Sequence, residues 1–162
     1  SIAFNSMRIS IIAIGKKVPE WVQSGVDEYS RRLQRDYGLN FIEIASSLSG
    51  TSADQNLKVR KEGIAILDKI RKKDYVIALD QKGTHINTSS FASKLDAYQG
   101  QGRDLVFLIG GADGLHESCL ERADEIWSIS ELTFPHALVR VVLTEQLYRA
   151  NSILRGHPYH RE

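Results

Sequence analysis

The sequence predicts an α/β fold, a mostly parallel sheet with helices on both faces. Three observations carry this expectation. Apolar, β-branched runs recur along the whole chain, amphipathic segments separate them, and two of the runs, VIAL (76–79) and LVFLI (105–109), are apolar at every position. A strand that is apolar at consecutive positions buries both of its faces, which is the habit of a parallel sheet covered on each side. At 162 residues the chain suits one domain with a real core, drawn here over 7–162. Residues 1–6 precede Met7, which opens the first strand-like run, and read as an expression scar or a short extension.

Each element follows from its own residues. RISIIAIG (8–15) is a β-branched strand stopped by Gly15, and PEWVQSGVDEYSRRL (19–33) follows as a helix, with Pro19 suited to its first turn. LNFIEIA (39–45) is a second strand and the polar SSLSGTSADQN (46–56) a loop. LKVRKEGIAILDKIRKK (57–73) reads as a helix with Val59, Ile66 and Ile70 on one side. YVIALD (75–80) is the third strand, and INTSSFASKLDAYQ (86–99) a helix capped by Thr88 or Ser89. DLVFLIG (104–110), LHESCLERA (115–123), EIWSIS (125–130) and ALVRVVLTEQLYRANSIL (137–154) complete the alternation as strand, helix, strand and long closing helix.

Composition narrows the classes. No apolar run approaches the ~20 residues of a membrane span, and the opening residues lack a basic leader with an apolar core, so a soluble, unexported, cytoplasmic protein is expected. Cys119 is the single cysteine, which excludes a disulfide framework and suits a reducing compartment. The net charge of +1 hides an uneven distribution: +5 over residues 1–73, −6 over 74–135 and +2 over 136–162. Runs such as KVRKEG and KIRKK therefore have either of two readings, a phosphate-contacting face or an ordinary solvated helix face.

In open sheets of this kind ligands gather beyond the carboxyl ends of the strands, here after Leu79, Ile109 and Ile129. LIGGADGLHE (108–117) lies at one such end. Gly110 and Gly111 serve either a plain turn or close approach of a ligand to bare peptide groups. The spacing is neither G-x-G-x-x-G nor a P-loop, since position 112 is Ala and no Lys-Ser/Thr pair follows. Further on, Pro135 precedes the last helix, and His136 and Arg140, four apart, share one face of it. The chain closes on GHPYHRE, a rigid aromatic segment where a terminus is ordinarily tolerant and disordered.

Together LIGGADGLHE, LTFPHALVRVVLTEQLYRA and the terminal HPYHRE closely resemble the RlmH family, large-subunit ribosomal RNA pseudouridine N3-methyltransferases of the SPOUT superfamily. The resemblance runs from about Met7 to Glu162 in both motifs and order. DQKGTH departs from it, with Lys82-Gly83 where the family has Gly-Lys, so no role passes to Lys82. The resemblance implies a deep trefoil knot near the C-terminus, a homodimer, and S-adenosylmethionine bound by Leu79, by Gly110 and Gly111, and by Ile129, Ser130, Glu131, Leu132, Thr133 and Phe134. It implies as substrate N3 of a pseudouridine in 23S ribosomal RNA, within the assembled ribosome. An imide N–H is a poor nucleophile until its proton leaves. Tyr159, His160 and Arg140 are accordingly expected at the reacting base, and His136, Arg149, His157 and Arg161 as substrate contacts. No metal is expected: His157 and His160 have no carboxylate or cysteine beside them.

Plainer roles stand beside these. His136 suits a helix cap, Tyr148 the packed face of its helix, Asp113 its own turn with Gly114, and Cys119 a small buried residue. Two other functions compete: a knotted methyltransferase acting on another RNA base, and a cofactor-free RNA-binding α/β module. Binding of S-adenosylmethionine separates the last from the first two.

Overall fold

The computed structural model describes residues 7–46 and 54–161. The N-terminal extension, most of the loop within 46–56 and Glu162 lie outside them. Among the described residues, five strands alternate with five helices: β1 (Arg8–Ile14), α1 (Glu20–Leu33), β2 (Gly38–Ile44), α2 (Gln55–Asp68), β3 (Tyr75–His85), α3 (Thr88–Gln99), β4 (Leu105–Ile109), α4 (Glu117–Arg122), β5 (Glu125–Ser128) and α5 (His136–Leu154). The sheet is wholly parallel in the order β2-β1-β4-β3-β5. β4, every residue of which is buried, runs through its centre.

Burial on both faces of the central strands makes two cores. Ile9, Ile11, Phe107 and Trp127 point to the side where Leu33 of α1, Phe91 and Leu95 of α3, and Leu143 and Leu147 of α5 pack. Ile12, Val76 and Leu108 point to the other, against Ile66 of α2 and Cys119 of α4. Cys119 is thus the small buried residue its setting suggested, and burial pushes its thiol pKa up. Three helices cover one face and two the other, with α5 lying between α1 and α3. Gly25 of α1 lets α5 approach closely, since a Cβ there would stand 3.2 Å from Val141.

Three expectations need correction. The cap of α3 is Asn87, one residue earlier than expected: its side chain accepts from the Ser90 amide, while the Ser90 hydroxyl accepts from the Asn87 amide. An amide side chain reaches the third helical N–H as well as a hydroxyl does, and the reciprocal bond completes a capping box. α2 stops at Asp68 rather than running to Lys73. Asp74 closes a turn there, accepting from the Arg71 amide at 2.7 Å and donating its own amide to the Arg71 carbonyl. β3 is longer than its apolar run. Leu79 pairs with Trp127, the chain loops out over 80–83, and Thr84 and His85 return to β5 against Trp127 and Ser128. Gly83 makes the return possible, because a Cβ would lie 2.6 Å from the Ile126 backbone.

Candidate functional site at the carboxyl ends of the strands

The carboxyl ends of β3, β4 and β5 open into a cavity of about 640 Å³, within the range of small-molecule sites. Leu79, Gly110, Gly111, Ile129, Ser130, Leu132, Thr133 and Phe134 all line it, and so does His136 at the start of α5. Nine residues singled out in the sequence therefore meet on one concave surface. Glu131 does not join them. It is 85% exposed and turned toward His85, with 3.8 Å between carboxylate and imidazole. Asp80, Gln81 and Lys82, to which the sequence reading gives no role, also line the cavity; the strand-end rule that selects Leu79 reaches them equally.

Backbone and apolar groups dominate the walls, with Asp80 and Lys82 near the looped-out turn. The Asp80 carboxylate accepts from the Lys82 amide at 2.9 Å and so shapes that turn. Gln81 donates to the Thr133 hydroxyl at 3.2 Å, tying the β3 loop to the loop before α5. That second loop is fixed locally: Ser128 Oγ donates to the Ser130 carbonyl, and Ser130 Oγ accepts from the Leu132 amide.

The glycine pair has a reason of its own. A Cβ on Gly110 would stand 2.6 Å from the Gly114 carbonyl carbon and 2.9 Å from the Leu115 nitrogen, so the close approach there is made by the chain's own turn. Gly111 and Gly114 bridge that turn, and Gly114 has φ of +81°, in the left-handed region that favours glycine. Gly111 is merely tight, 3.1 Å from Ile14 Cγ2. Asp113, in its turn with Gly114, also reaches α2. It accepts from Gln55 and, at 3.3 Å, from Lys58, and these bonds hold its carboxyl below the ordinary carboxylate range.

The remaining candidates lie elsewhere. Arg140 is 1% exposed. Its guanidinium donates to Glu43 at 2.6 Å and to the carbonyls of Ile14 and Gly15, so it locks α5 onto the ends of β1 and β2. The shared face with His136 holds, but one turn along α5 the helix has already passed beneath the surface. Arg149 sits near the far end of α5, paired to Glu145 at 2.6 Å.

The C-terminal tail folds back upon that end. Tyr159 donates to Glu145 at 2.6 Å, packs edge-on against Tyr148, and lies under the Arg149 guanidinium, 4.7 Å from its ring centre. Burial and the hydrogen bond to Glu145 push the Tyr159 pKa up, so its hydroxyl stays protonated at neutral pH. Nδ1 of His160 lies 3.1 Å from Arg149 Nη1. A guanidinium only donates, so Nδ1 accepts and Nε2 keeps its hydrogen for another partner. His157 and Arg161 are exposed. The tail is thus bound along α5 by Glu145, Tyr148 and Arg149, and none of its described residues lines the cavity. Among the described residues no group of three or more His, Cys, Asp or Glu side chains could hold a metal ion. No described helix is long and apolar enough to cross a membrane.

Comparison with known proteins agrees with this geometry. A family model described as "Predicted SPOUT methyltransferase" matches residues 7–160. The chain is 48% identical over 156 residues to a ribosomal RNA large subunit methyltransferase H from Thioalkalivibrio sulfidiphilus, covering 96% of this chain and 100% of the relative. It is 46% identical over 155 residues to the protein of the same name from Chromohalobacter salexigens, again covering 96% and 100%. Among solved structures, a probable methylase family protein from Haemophilus influenzae Rd KW20 superposes with a TM-score of 0.59 at 15% identity, covering 96% of this chain and 71% of that one. A probable methyltransferase from Bordetella pertussis Tohama I gives a TM-score of 0.59 at 13% identity, covering 89% and 94%.

Proposed function

The chain belongs to the SPOUT methyltransferase family, and from that premise we propose that it methylates large-subunit ribosomal RNA at N3 of a pseudouridine, in the cytoplasm, using S-adenosylmethionine. The observation that carries the reading is the meeting of three strand-end loops around one cavity of about 640 Å³. Its residues fit the cofactor. An adenine needs apolar contact and peptide hydrogen-bonding groups rather than charged side chains, and Leu79, Ile129, Leu132 and the backbone at Gly110 and Gly111 supply both. When bound, the sulfonium supplies an activated methyl group, and the protein's contribution is alignment. The deep trefoil knot that accompanies such a site in the family belongs to the same reading.

This chain's own residues then have separate tasks. The loop of residues 129–134 and the Gly110 turn hold the donor. His136 lines the mouth of the cavity, on the side where an RNA base would enter. Tyr159 is not the base that removes the imide proton, because its hydroxyl is protonated and already donates to Glu145. Its ring is suited to stacking on an unpaired base. The free Nε2–H of His160 suits a base carbonyl on which negative charge develops as the proton leaves. Arg140 anchors α5 and takes no part in this account.

A second copy unites these tasks. Tyr159 is bound by Glu145, nine residues and about 13 Å along α5 from His136, and no described tail residue lines its own cavity. A two-fold axis across antiparallel α5 helices would bring the tail of one copy to the cavity of the other. The proposed enzyme is a homodimer with composite sites.

Calorimetry with S-adenosylmethionine, followed by methyl transfer to isolated large-subunit RNA, subunits and whole ribosomes, tests the reading. Cofactor binding together with a methylated pseudouridine at N3 is expected, with the assembled ribosome as the preferred substrate. Absence of cofactor binding overturns it in favour of an RNA-binding module, and methylation of a different base overturns the assignment of the acceptor.

A further inference from the structure

We infer that the groove between the C-terminal ends of α1 and α5 is a phosphate-binding track for single-stranded RNA. The inference rests on the ribosomal RNA reading above and adds the surface that holds the backbone. The groove encloses about 590 Å³ and collects Arg31, Arg32, Arg35, Arg155 and His157, with Asp36 and the turn at Gly156 and Pro158. It is separate from the cofactor cavity and shares no residue with it.

Cations at a helix C-terminus have an ordinary explanation, since they complement its dipole, and two of the arginines fit it. Arg32 pairs with Glu28 at 3.0 Å and lies over the rings of Tyr29 and Tyr148; Arg155 pairs with Asp36. The remaining charge exceeds what the helix ends need. Arg31 shares the Glu28 carboxylate already taken by Arg32 and keeps 71% of its side chain exposed. Arg35 lies beyond the end of α1, is exposed, and has no carboxylate partner among the described residues. Four guanidinium groups at the C-terminal ends of two helices thus line the groove with one carboxylate, Asp36, while Glu28, outside the lining, pairs with Arg31 and Arg32, and net positive charge remains.

Planar guanidinium groups match phosphate oxygens in pairs, and they keep their charge at any working pH. Several in a row along a groove suit a repeating phosphate backbone better than one isolated anion. The groove also adjoins the tail: Gly156, His157 and Pro158 form its wall, and Tyr159 and His160 follow directly. A strand whose base is met by the tail therefore has its neighbouring phosphates over these arginines.

The test uses the intact protein with Arg31→Gln and Arg35→Gln combined, both surface positions. Arg60→Gln with Lys61→Gln removes the same charge from α2 on the opposite face of the sheet. With ribosomes lacking the modification as substrate, the groove pair should raise KM about tenfold, with kcat within about twofold and cofactor affinity unchanged. With large-subunit RNA as probe, the slope of log affinity against log salt should become shallower by about 1.4, the contribution of two single-strand phosphates. The α2 pair should change neither. Equal effects from both pairs would reduce the groove to diffuse charge and overturn the inference, as would an unchanged KM and slope for the groove pair.

Inorganic phosphate gives the other arm. If it raises the melting temperature of the wild type but not of the groove pair, while RNA affinity is equal in both, the groove belongs to a free anion and the inference fails. Arg35→Glu alone, which breaks no ion pair of the described fold, gives the same readouts should the double variant fold poorly. Failure of the underlying reading is separable, because it shows as a wild type that methylates no ribosomal RNA. RNA binding by wild type and groove pair still judges the groove in that case.

Discussion

Gly110 and Gly111 are neighbours in sequence, yet the atoms around them predict unequal consequences for the same small change. A methyl group at Gly110 meets the backbone of Gly114 and Leu115, which cannot move without opening the turn. At Gly111 it meets the end of the Ile14 side chain, which can rotate. Gly110→Ala should therefore destabilise the protein by about 1–3 kcal/mol and weaken cofactor binding at least tenfold, while Gly111→Ala should cost under ~1 kcal/mol. Melting and calorimetry on the two variants check this, and equal effects would show that ligand space rather than the turn sets the requirement. The sequence marked both glycines, because paired glycines after an apolar strand are visible; it could not say what approached them, because Gly114 and Leu115 return only through the fold. Glu125 teaches the same lesson at the other edge of the sheet. Its carboxylate accepts from Trp127, Tyr75, Lys94 and Tyr98. Burial raises its pKa, but these bonds outweigh burial and hold it at about 2, below its ordinary 4.5. A folded-state pKa below the unfolded one means stability that is present above the unfolded pKa and lost as pH falls toward the folded pKa. Melting temperature should thus drop between about pH 4.5 and pH 2, and Glu125→Gln should flatten that part of the profile.

Elements were legible wherever periodicity and local chemistry agreed. Among the described residues each strand and helix falls where apolar runs and amphipathic segments place it, and the differences are at element ends. ILDKIRKK continues a helical pattern past the end of α2, and Asp74, outside that pattern, closes the turn that ends the helix. QKGT has no strand character, yet β3 runs through it; its return to β5 depends on Gly83 passing over the Ile126 backbone. The α3 cap, one residue before the hydroxyls that the sequence offers, is testable. Asn87→Ala removes the acceptor of the Ser90 amide and should cost about 1 kcal/mol of unfolding free energy, against a few tenths for Ser89→Ala at an exposed position. Chemical denaturation should show this as a lower midpoint with unchanged slope. Cofactor affinity should hold, since Asn87 does not line the main cavity.

At the scale of the molecule, strand-end logic and the family motifs bring nine candidate residues to one cavity, but neither reveals that the tail is bound along α5 by Glu145, Tyr148 and Arg149 and lines none of that cavity. No local pattern encodes that separation, because Glu145 and Tyr159 meet only through the fold. Its consequence is a prediction about mixtures. A protein lacking residues 157–162 keeps its cavity, and a Gly110→Val protein keeps its tail. Each homodimer should be inactive, the first with cofactor affinity within about threefold of wild type, under ~0.7 kcal/mol, and the second with its cofactor site disrupted. Mixed in equal amounts and allowed to exchange, half of the dimers should be hybrids. Each hybrid has one site made of an intact cavity and the tail of the other subunit, so activity should recover to about one quarter of wild type. If the tail served its own chain, the hybrid would have no complete site, and the mixture would stay inactive. Differently tagged subunits that co-purify would establish that hybrids had formed, so an inactive mixture of proven hybrids, or a fully active monomer in sedimentation, would refute the composite site.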